Sequence, residues 1–282
     1  MKKIIFPLFL FSAVISFAQP VLETGGQKMP VEWIDKTTGH KIIKLTRREG
    51  GNMSFYFHNN PFVGNKMVFY GTNSQNSQKN DSVKQEIYNI TAGNKQIYSV
   101  DLNSLKVDQI TSQASAMNGE IVGAKNHLVY YQIKDSVFST NIDNKQTKLV
   151  YVFPADFKAS ITTLNADETL LAGAWSSDKE KEILKNNPNK SSYFNLIYEA
   201  REPRTLFTIN VKTGKLNKLF TDSAWLNHVQ FSPTDPKLLM FCHEGPWHKV
   251  DRIWTINIDT KQIKLMHKRT MDMEIAGHEW FQ

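Results

Sequence analysis

Five of the chain's eight histidines fall in its last quarter, and four of them, His228, His243, His248 and His278, stand beside Glu244, Asp251, Arg252 and Glu279. Trp247, Trp254 and Trp280 are interleaved with them. An imidazole changes charge near neutral pH, so histidine serves as general base, general acid or metal ligand. An arginine fork matches a carboxylate in two-point fashion, and Glu244 and Glu279 are of the right type to orient neighbouring histidines. Such groups are costly to bury without partners, so the cluster predicts a wet, polar pocket rather than a core. Any one of these histidines reads equally well as a loop residue at a strand end, and Asp251 with Arg252 as an ion pair at a sheet edge; the cluster as a whole points to a site. Cys242, the single cysteine, ends the apolar run Leu238 to Cys242 and is expected to be a buried thiol rather than a nucleophile.

The elements that must position these residues are short strands. Alternation over four to eight residues dominates, and long helical periodicity is absent. A strand, a polar turn and a second strand recur from Ile97 to Thr111, Val137 to Tyr151, Leu206 to Thr221 and Ile253 to His267. A fragment of the same unit stands at Asp35 to Thr46. Each copy is accompanied by an apolar strand: Phe62 to Tyr70, His127 to Gln132, Leu164 to Trp175 and Phe231 to Cys242. Repeats of this kind predict an all-β chain, a β-propeller, with about four complete units and part of a fifth. Asn73 to Lys95 and Ser176 to Pro203 break the period and are expected to be long loops, with a short helix over Lys179 to Lys185. The last residues, Trp280-Phe281-Gln282, read as a strand, which leads to the expectation that further blades follow in an intact protein.

Composition bounds the rest. The segment Met1 to Ala18 has a basic start, an apolar run and the small-residue pair Ser16 and Ala18, which predicts a signal peptide over 1–18 and a propeller domain over 19–282. Export to the periplasm is expected, with full secretion the alternative. The apolar run is too short for a comfortable membrane span. One cysteine excludes an internal disulfide framework. The formal net charge of +7 suits a polyanionic ligand; nucleic acid is set aside because no recognition motif is present and export argues against it.

The run Trp225-Leu226-Asn227-His228-Val229-Gln230-Phe231-Ser232-Pro233, then Cys242-His243-Glu244-Gly245-Pro246-Trp247, Asp251-Arg252-Ile253-Trp254 and Gly277-His278-Glu279-Trp280, resembles the oligogalacturonate lyases, as does Ser54 to Phe62. The likeness extends over roughly residues 22–282 and is strongest from Leu206 onward. The resemblance implies a seven-bladed propeller that cleaves short galacturonate oligomers by metal-assisted β-elimination. On matching motifs it implies His228 as the general base and His278 as one ligand of a divalent metal, manganese, whose other ligands are expected beyond residue 282. Arg204, with Arg201 as its rival, is the candidate for stabilising the substrate carboxylate. His243, His248 and Arg252 are candidates for uronate binding, and His58 and the pair Arg47-Arg48 for lining the channel. Two other readings stand beside the lyase: an inactive propeller that binds acidic sugar or protein, and the propeller of an exported peptidase or translocation accessory protein, which leaves the His-Glu-Gly-Pro-Trp run unexplained.

Overall fold

Among the described residues, five turns of identical design punctuate the chain. In each, an Asx side chain accepts backbone N–H bonds from residues two and three positions on: Asp35 from Thr37 and Thr38, Asp101 from Asn103 and Ser104, Asn141 from Asp143 and Asn144, Asn210 from Lys212 and Thr213, Asn257 from Asp259 and Thr260. Four positions after the Asx residue the backbone enters the left-handed region, at Gly39, Leu105, Lys145, Gly214 and Lys261. This side-chain mimic of a turn reverses the chain tightly enough to pair the flanking strands.

The computed structural model describes residues 30–72 and 95–281. The expected signal peptide and all but the last residue of the expected loop over 73–95 lie outside the described residues. The chain divides into two compact units, 1–47 and 48–282. The described part of the first is a hairpin of β1 (Glu32–Ile34) and β2 (Lys41–Ile43) around the Asp35 turn.

Among its described residues, the second unit has four antiparallel sheets taken in chain order. The first joins β3 (Asn52–Met53), β5 (Lys66–Gly71), β6 (Gln96–Asp101) and β7 (Val107–Gln109), with β4 (Phe62–Val63) paired to β5. The second is β8 (Asn118–Gly123), β9 (Leu128–Ile133), β10 (Ser136–Asn141) and β11 (Thr147–Val152). The third is β12 (Ala159–Leu164), β13 (Leu170–Ser176), β14 (Arg204–Asn210) and β15 (Leu216–Asp222). The fourth is β16 (Trp225–Phe231), β17 (Leu238–Glu244), β18 (Ile253–Asn257) and β19 (Ile263–Leu265).

Three apolar clusters fill the spaces between successive sheets: Val68, Ile97, Val129 and Tyr131 between the first and second, Tyr130, Ile161, Leu171 and Phe207 between the second and third, Leu206, Leu226, Leu239 and Phe241 between the third and fourth. Sheets stacked face to face, each a simple meander, are the blades of a β-propeller. The leading strands lie against one another. Thr162 Oγ1 donates to the Val229 carbonyl at 2.8 Å, and the Phe231 N–H donates to Thr163 Oγ1 at 2.9 Å, so β12 and β16 run side by side in the same direction.

That shared direction decides which loops are neighbours. The start of β12 pairs with the end of β13, and the start of β16 with the end of β17. The β13–β14 and β17–β18 connections therefore emerge at the same end of their sheets.

The β13–β14 connection is helical rather than a charged loop. Helix α1 (Asp178–Asn186) contains the short helix expected there and is capped by Ser177, whose hydroxyl accepts the Glu180 N–H at 3.2 Å. Helix α2 (Lys190–Ala200) was not anticipated. Its sequence is Lys-Ser-Ser-Tyr-Phe-Asn-Leu-Ile-Tyr-Glu-Ala, aromatic-rich and nearly without charge pairs. It is stabilised by tertiary packing: Ile197 is buried, and Tyr193 and Phe194 meet Trp225 edge-on at 6.5 and 5.3 Å.

Gly173 marks the tightest approach within the third sheet, where a Cβ would collide with the Ser160 carbonyl oxygen. Gly173→Ala must push β12 away from β13. It is expected to cost about 3 kcal/mol in urea unfolding, with β12 and its contacts to β16 disturbed first; a cost under ~0.5 kcal/mol would show that the two strands yield freely.

Candidate active site

His228 stands where β16 departs from regular pairing. Asn227 faces Cys242 and Gln230 faces Met240, so His228 and Val229 together oppose the single residue Phe241. This is a β-bulge, and His228 adopts φ 47°, the left-handed region that non-glycine residues enter only at a cost. Regular alternation would turn residue 228 to the face of Phe241 and His243. The bulge instead brings its imidazole to the face of Cys242 and Glu244, with Nε2 3.5 Å from Glu244 Oε2.

Glu244 is buried and fully engaged. Its Oε1 accepts from Arg252 Nη1 at 2.5 Å, from Trp247 Nε1 at 3.1 Å and from the Gly245 N–H at 3.2 Å. Burial opposes its ionisation, but the contacts with His228, Arg252 and Gly245 prevail and hold the carboxyl down to about 2. Arg252, 1% exposed in its side chain, reaches on to Glu279 with Nη2 at 3.2 and 3.3 Å from the two carboxylate oxygens. The Glu279 carbonyl in turn accepts from Gln230 Nε2 at 2.8 Å. The Glu244–Arg252–Glu279 row therefore joins β17, β18 and the segment carrying His278, and Gln230 ties that segment to the strand of His228.

His278 is exposed and also has positive φ, 48°. Phe57 and Trp247 meet its ring edge-on at 5.4 and 6.2 Å. His58 lies on the other side of Phe57, at 5.4 Å. Burial, aided by the His228 charge and opposed by Glu279, lowers its pKa to about 4, and its buried Nδ1 has no hydrogen-bond partner among the described residues. His58, His228 and His278 thus surround one locality, reached from the first sheet, the fourth sheet and the terminal segment.

The other expected site residues lie elsewhere. His243 is on the opposite face of β17, stacked on Trp254 at 4.8 Å, and burial lowers its pKa. His248 lies in the short 3₁₀ turn Trp247–Lys249, and its carbonyl accepts from Arg269. Arg204 is 9% exposed: Nε donates to Glu180 Oε2 at 2.6 Å, Nη2 to Glu180 Oε1, and Nη1 to the Leu226 carbonyl at 2.8 Å. Its donors fasten α1 to the start of β16. Arg201 ends α2 in the left-handed conformation, exposed and stacked 4.2 Å from Tyr198, whose ring lies against Gly245. Arg48 is spent on the first sheet, donating to the Gly51 and Thr72 carbonyls and covering the Tyr98 ring. Sequence reasoning missed Glu180, Tyr198 and Phe57. Glu180 and Tyr198 act through helices whose docking no local pattern reveals, and Phe57 reads as one aromatic among several.

Among the described residues, one group of three His, Cys, Asp or Glu donors gathers within 4.8 Å: His228, Cys242 and Glu244. It is unsuited to a cation. Burial pushes the Cys242 thiol well up, and Glu244 already neutralises a guanidinium. His278 has an accessible imidazole, but no such group of three includes it among the described residues. A divalent ion needs several ligands at once, so the described residues do not complete a metal site.

A bulged histidine backed by a buried carboxylate, among the blades of a propeller, is an arrangement chemically able to take up a proton. The chain belongs to the oligogalacturonate lyase family, whose model matches residues 26–282. It is 24% identical over 253 residues to an oligogalacturonate lyase of Dickeya dadantii, covering 88% of this chain and 59% of that protein. It is 23% identical over 265 residues to an oligogalacturonide lyase of Pectobacterium atrosepticum, covering 91% and 62%. Among solved structures, an oligogalacturonate lyase in complex with manganese superposes with a TM-score of 0.68 at 23% identity, covering 85% of this chain and 59% of that one. An oligogalacturonate lyase of Vibrio parahaemolyticus gives 0.68 at 21%, with the same coverage. The chain thus spans about three fifths of these relatives' length.

Two acid-side effects follow. The folded pKa of Glu244, about 2, is below its ordinary 4.5, so the stability it contributes is complete above pH 4.5 and is lost as pH falls toward 2. For His58 the folded value of about 4 is below the ordinary 6.5; the unfolded chain takes up that proton first, and stability declines as pH falls from 6.5 to 4. Urea midpoints against pH are expected to flatten between pH 6.5 and 4 in His58→Asn while the steeper loss below 4.5 persists. An unchanged profile in that variant would count against a neutral, buried His58.

Proposed function

We propose that the chain carries the proton-transfer half of an oligogalacturonate lyase site, with His228 as general base. The observation that carries this is the bulge that sets His228 against Glu244. With Nε2 facing the carboxylate, Nδ1 is the nitrogen left to accept a proton. Glu244 stays ionised throughout the neutral range and stabilises the imidazolium that forms.

In the proposed reaction His228 removes the proton on the carbon bearing the uronate carboxylate (C5). The electron pair forms the C4–C5 double bond, the C4–O bond breaks, and the leaving oxygen takes a proton from solvent as the chain is cut, while the imidazolium returns its proton to solvent. Charge developing toward the carboxylate requires a nearby cation. Arg201, exposed beside Tyr198 and Gly245, is the proposed partner. Arg204 is assigned to positioning, since Glu180 and the Leu226 carbonyl occupy it. Arg252 is likewise assigned to holding Glu244 and Glu279.

A divalent ion of the kind bound by the manganese-containing relative would supply Lewis-acid assistance to the carboxylate. His278 is the proposed single ligand from the described residues, and no step here runs through the ion. Export to the periplasm is retained as part of the proposal. A second reading, a propeller that binds acidic oligosaccharide without turnover, is favoured by the incomplete set of metal donors among the described residues.

Absorbance of the unsaturated uronate product, followed on galacturonate oligomers with manganese present, separates the two. The lyase reading expects turnover that falls about 10²- to 10⁴-fold in His228→Ala and less in Arg201→Ala, where KM rises. Saturable binding with no new absorbance in the unaltered chain would move the assignment to the second reading.

A further inference from the structure

A cavity of about 470 Å³ opens between α2 and the Trp247–Lys249 turn, within the range of small-ligand sites. Lys190, Phe194 and Asn195 line it from the helix, Trp247 and His248 from the turn, and Ile275 from the terminal segment. We propose that this cavity is a subsite for one uronate residue of an acidic oligosaccharide, with Lys190 as the counter-charge to its carboxylate. The proposal rests on the galacturonate-oligomer reading above and extends it to an adjoining sugar.

The lining has each component such a residue requires. A pyranose ring offers an apolar C–H face, and the rings of Phe194 and Trp247 offer complementary surface. Its hydroxyls need donors and acceptors, which the Asn195 amide and the His248 imidazole provide. Its carboxylate needs a cation. Lys190 Nζ lies 5.4 Å from the Phe194 ring centroid, so charge and aromatic surface are adjacent, and no carboxylate pairs with Lys190 among the described residues.

The position is equally informative. Trp247 belongs to both places: its Nε1 donates to Glu244 and its ring meets His278 edge-on, while it also lines the cavity. A sugar seated there is separated from the proposed reaction centre by one indole, a suitable offset for a neighbouring unit of the same polymer.

Two other cavities are less suited. In the one of about 250 Å³ lined by His58, Lys125 and Glu168, both Glu168 oxygens already accept backbone N–H groups, from Lys125 at 2.7 Å and Asn126 at 3.0 Å, and the carboxylate disfavours an anion. In the one of about 480 Å³ lined by Lys134 and Lys158, Lys158 is paired to Asp135 at 3.2 Å and the polar lining includes no aromatic ring.

Calorimetric titration of the full chain with galacturonate dimers and trimers, and with neutral galactose oligomers, tests the assignment. Lys190→Ala is expected to weaken galacturonate trimer binding roughly three- to fivefold, with recovery in Lys190→Arg. Phe194→Ala should weaken it as well, with circular dichroism confirming that the fold is retained, and the neutral oligomers should bind poorly to every form. If the unaltered chain binds the trimer and neither Lys190→Ala nor Phe194→Ala changes the affinity, the subsite is overturned while the substrate class stands. If the unaltered chain binds no galacturonate oligomer, the substrate reading fails and the subsite falls with it.

Discussion

One buried guanidinium held between two buried carboxylates is the constraint on which the site depends. Arg252 has almost no exposure, and neither it nor Glu244 nor Glu279 can leave water without the others. The energetic value of such a row is small compared with an apolar core. Its value in specification is greater, because breaking it at any member leaves an uncompensated charge in a low-dielectric interior. The row has only one arrangement in which every charge is met. That arrangement fixes the end of β17, the start of β18 and the Gly-His-Glu-Trp segment together, and His228 and His278 take their positions from it.

Strain at the two histidines is consistent with this account. Both have positive φ, a conformation that costs an ordinary residue on the order of 1 kcal/mol or more. Each is restrained from both sides. His228 lies between ladder pairs at Asn227 and Gln230, and His278 directly precedes the buried Glu279. Left-handed residues at the Asx turns are surface reversals that serve the fold. The same conformation at His228, inside a strand, serves instead to aim one side chain.

The blades were legible because their signal is local. An Asx residue followed four positions later by a left-handed residue writes each hairpin into five consecutive positions, and alternation supplies the strands on either side. The polar cluster was legible as a cluster for the same reason, since Cys-His-Glu-Gly-Pro-Trp and Asp-Arg-Ile-Trp are continuous runs. What the residues do to one another was not. Arg204 reads as an available cation until Glu180, on a helix 24 residues earlier, is docked against it. Arg252 reads as a carboxylate receptor, and it is one, but its carboxylates are Glu244 and Glu279 rather than a ligand's. Helix α2 was invisible because its stability comes from docking, with Ile197 buried and Tyr193 and Phe194 against Trp225, rather than from a local pattern.

The least legible feature is the one with the greatest chemical consequence. A strand read from sequence is a strict alternation, and strict alternation puts His228 opposite Phe241, on the face of His243 and away from Glu244. Two adjacent histidines on one face would have suggested a metal pair. The single extra residue of the bulge shifts that parity for His228 and the residues that follow it. It leaves Val229 in the apolar cluster with Phe241, keeps Gln230 on the side that meets Glu279, and places one imidazole beside an ionised carboxylate. His243 remains on the other face, stacked on Trp254 with its pKa lowered by burial, a packing residue by position. A base of the proposed kind needs a neighbour that welcomes the proton it takes, and in that proposal the neighbour is gained by a one-residue irregularity in an otherwise regular blade.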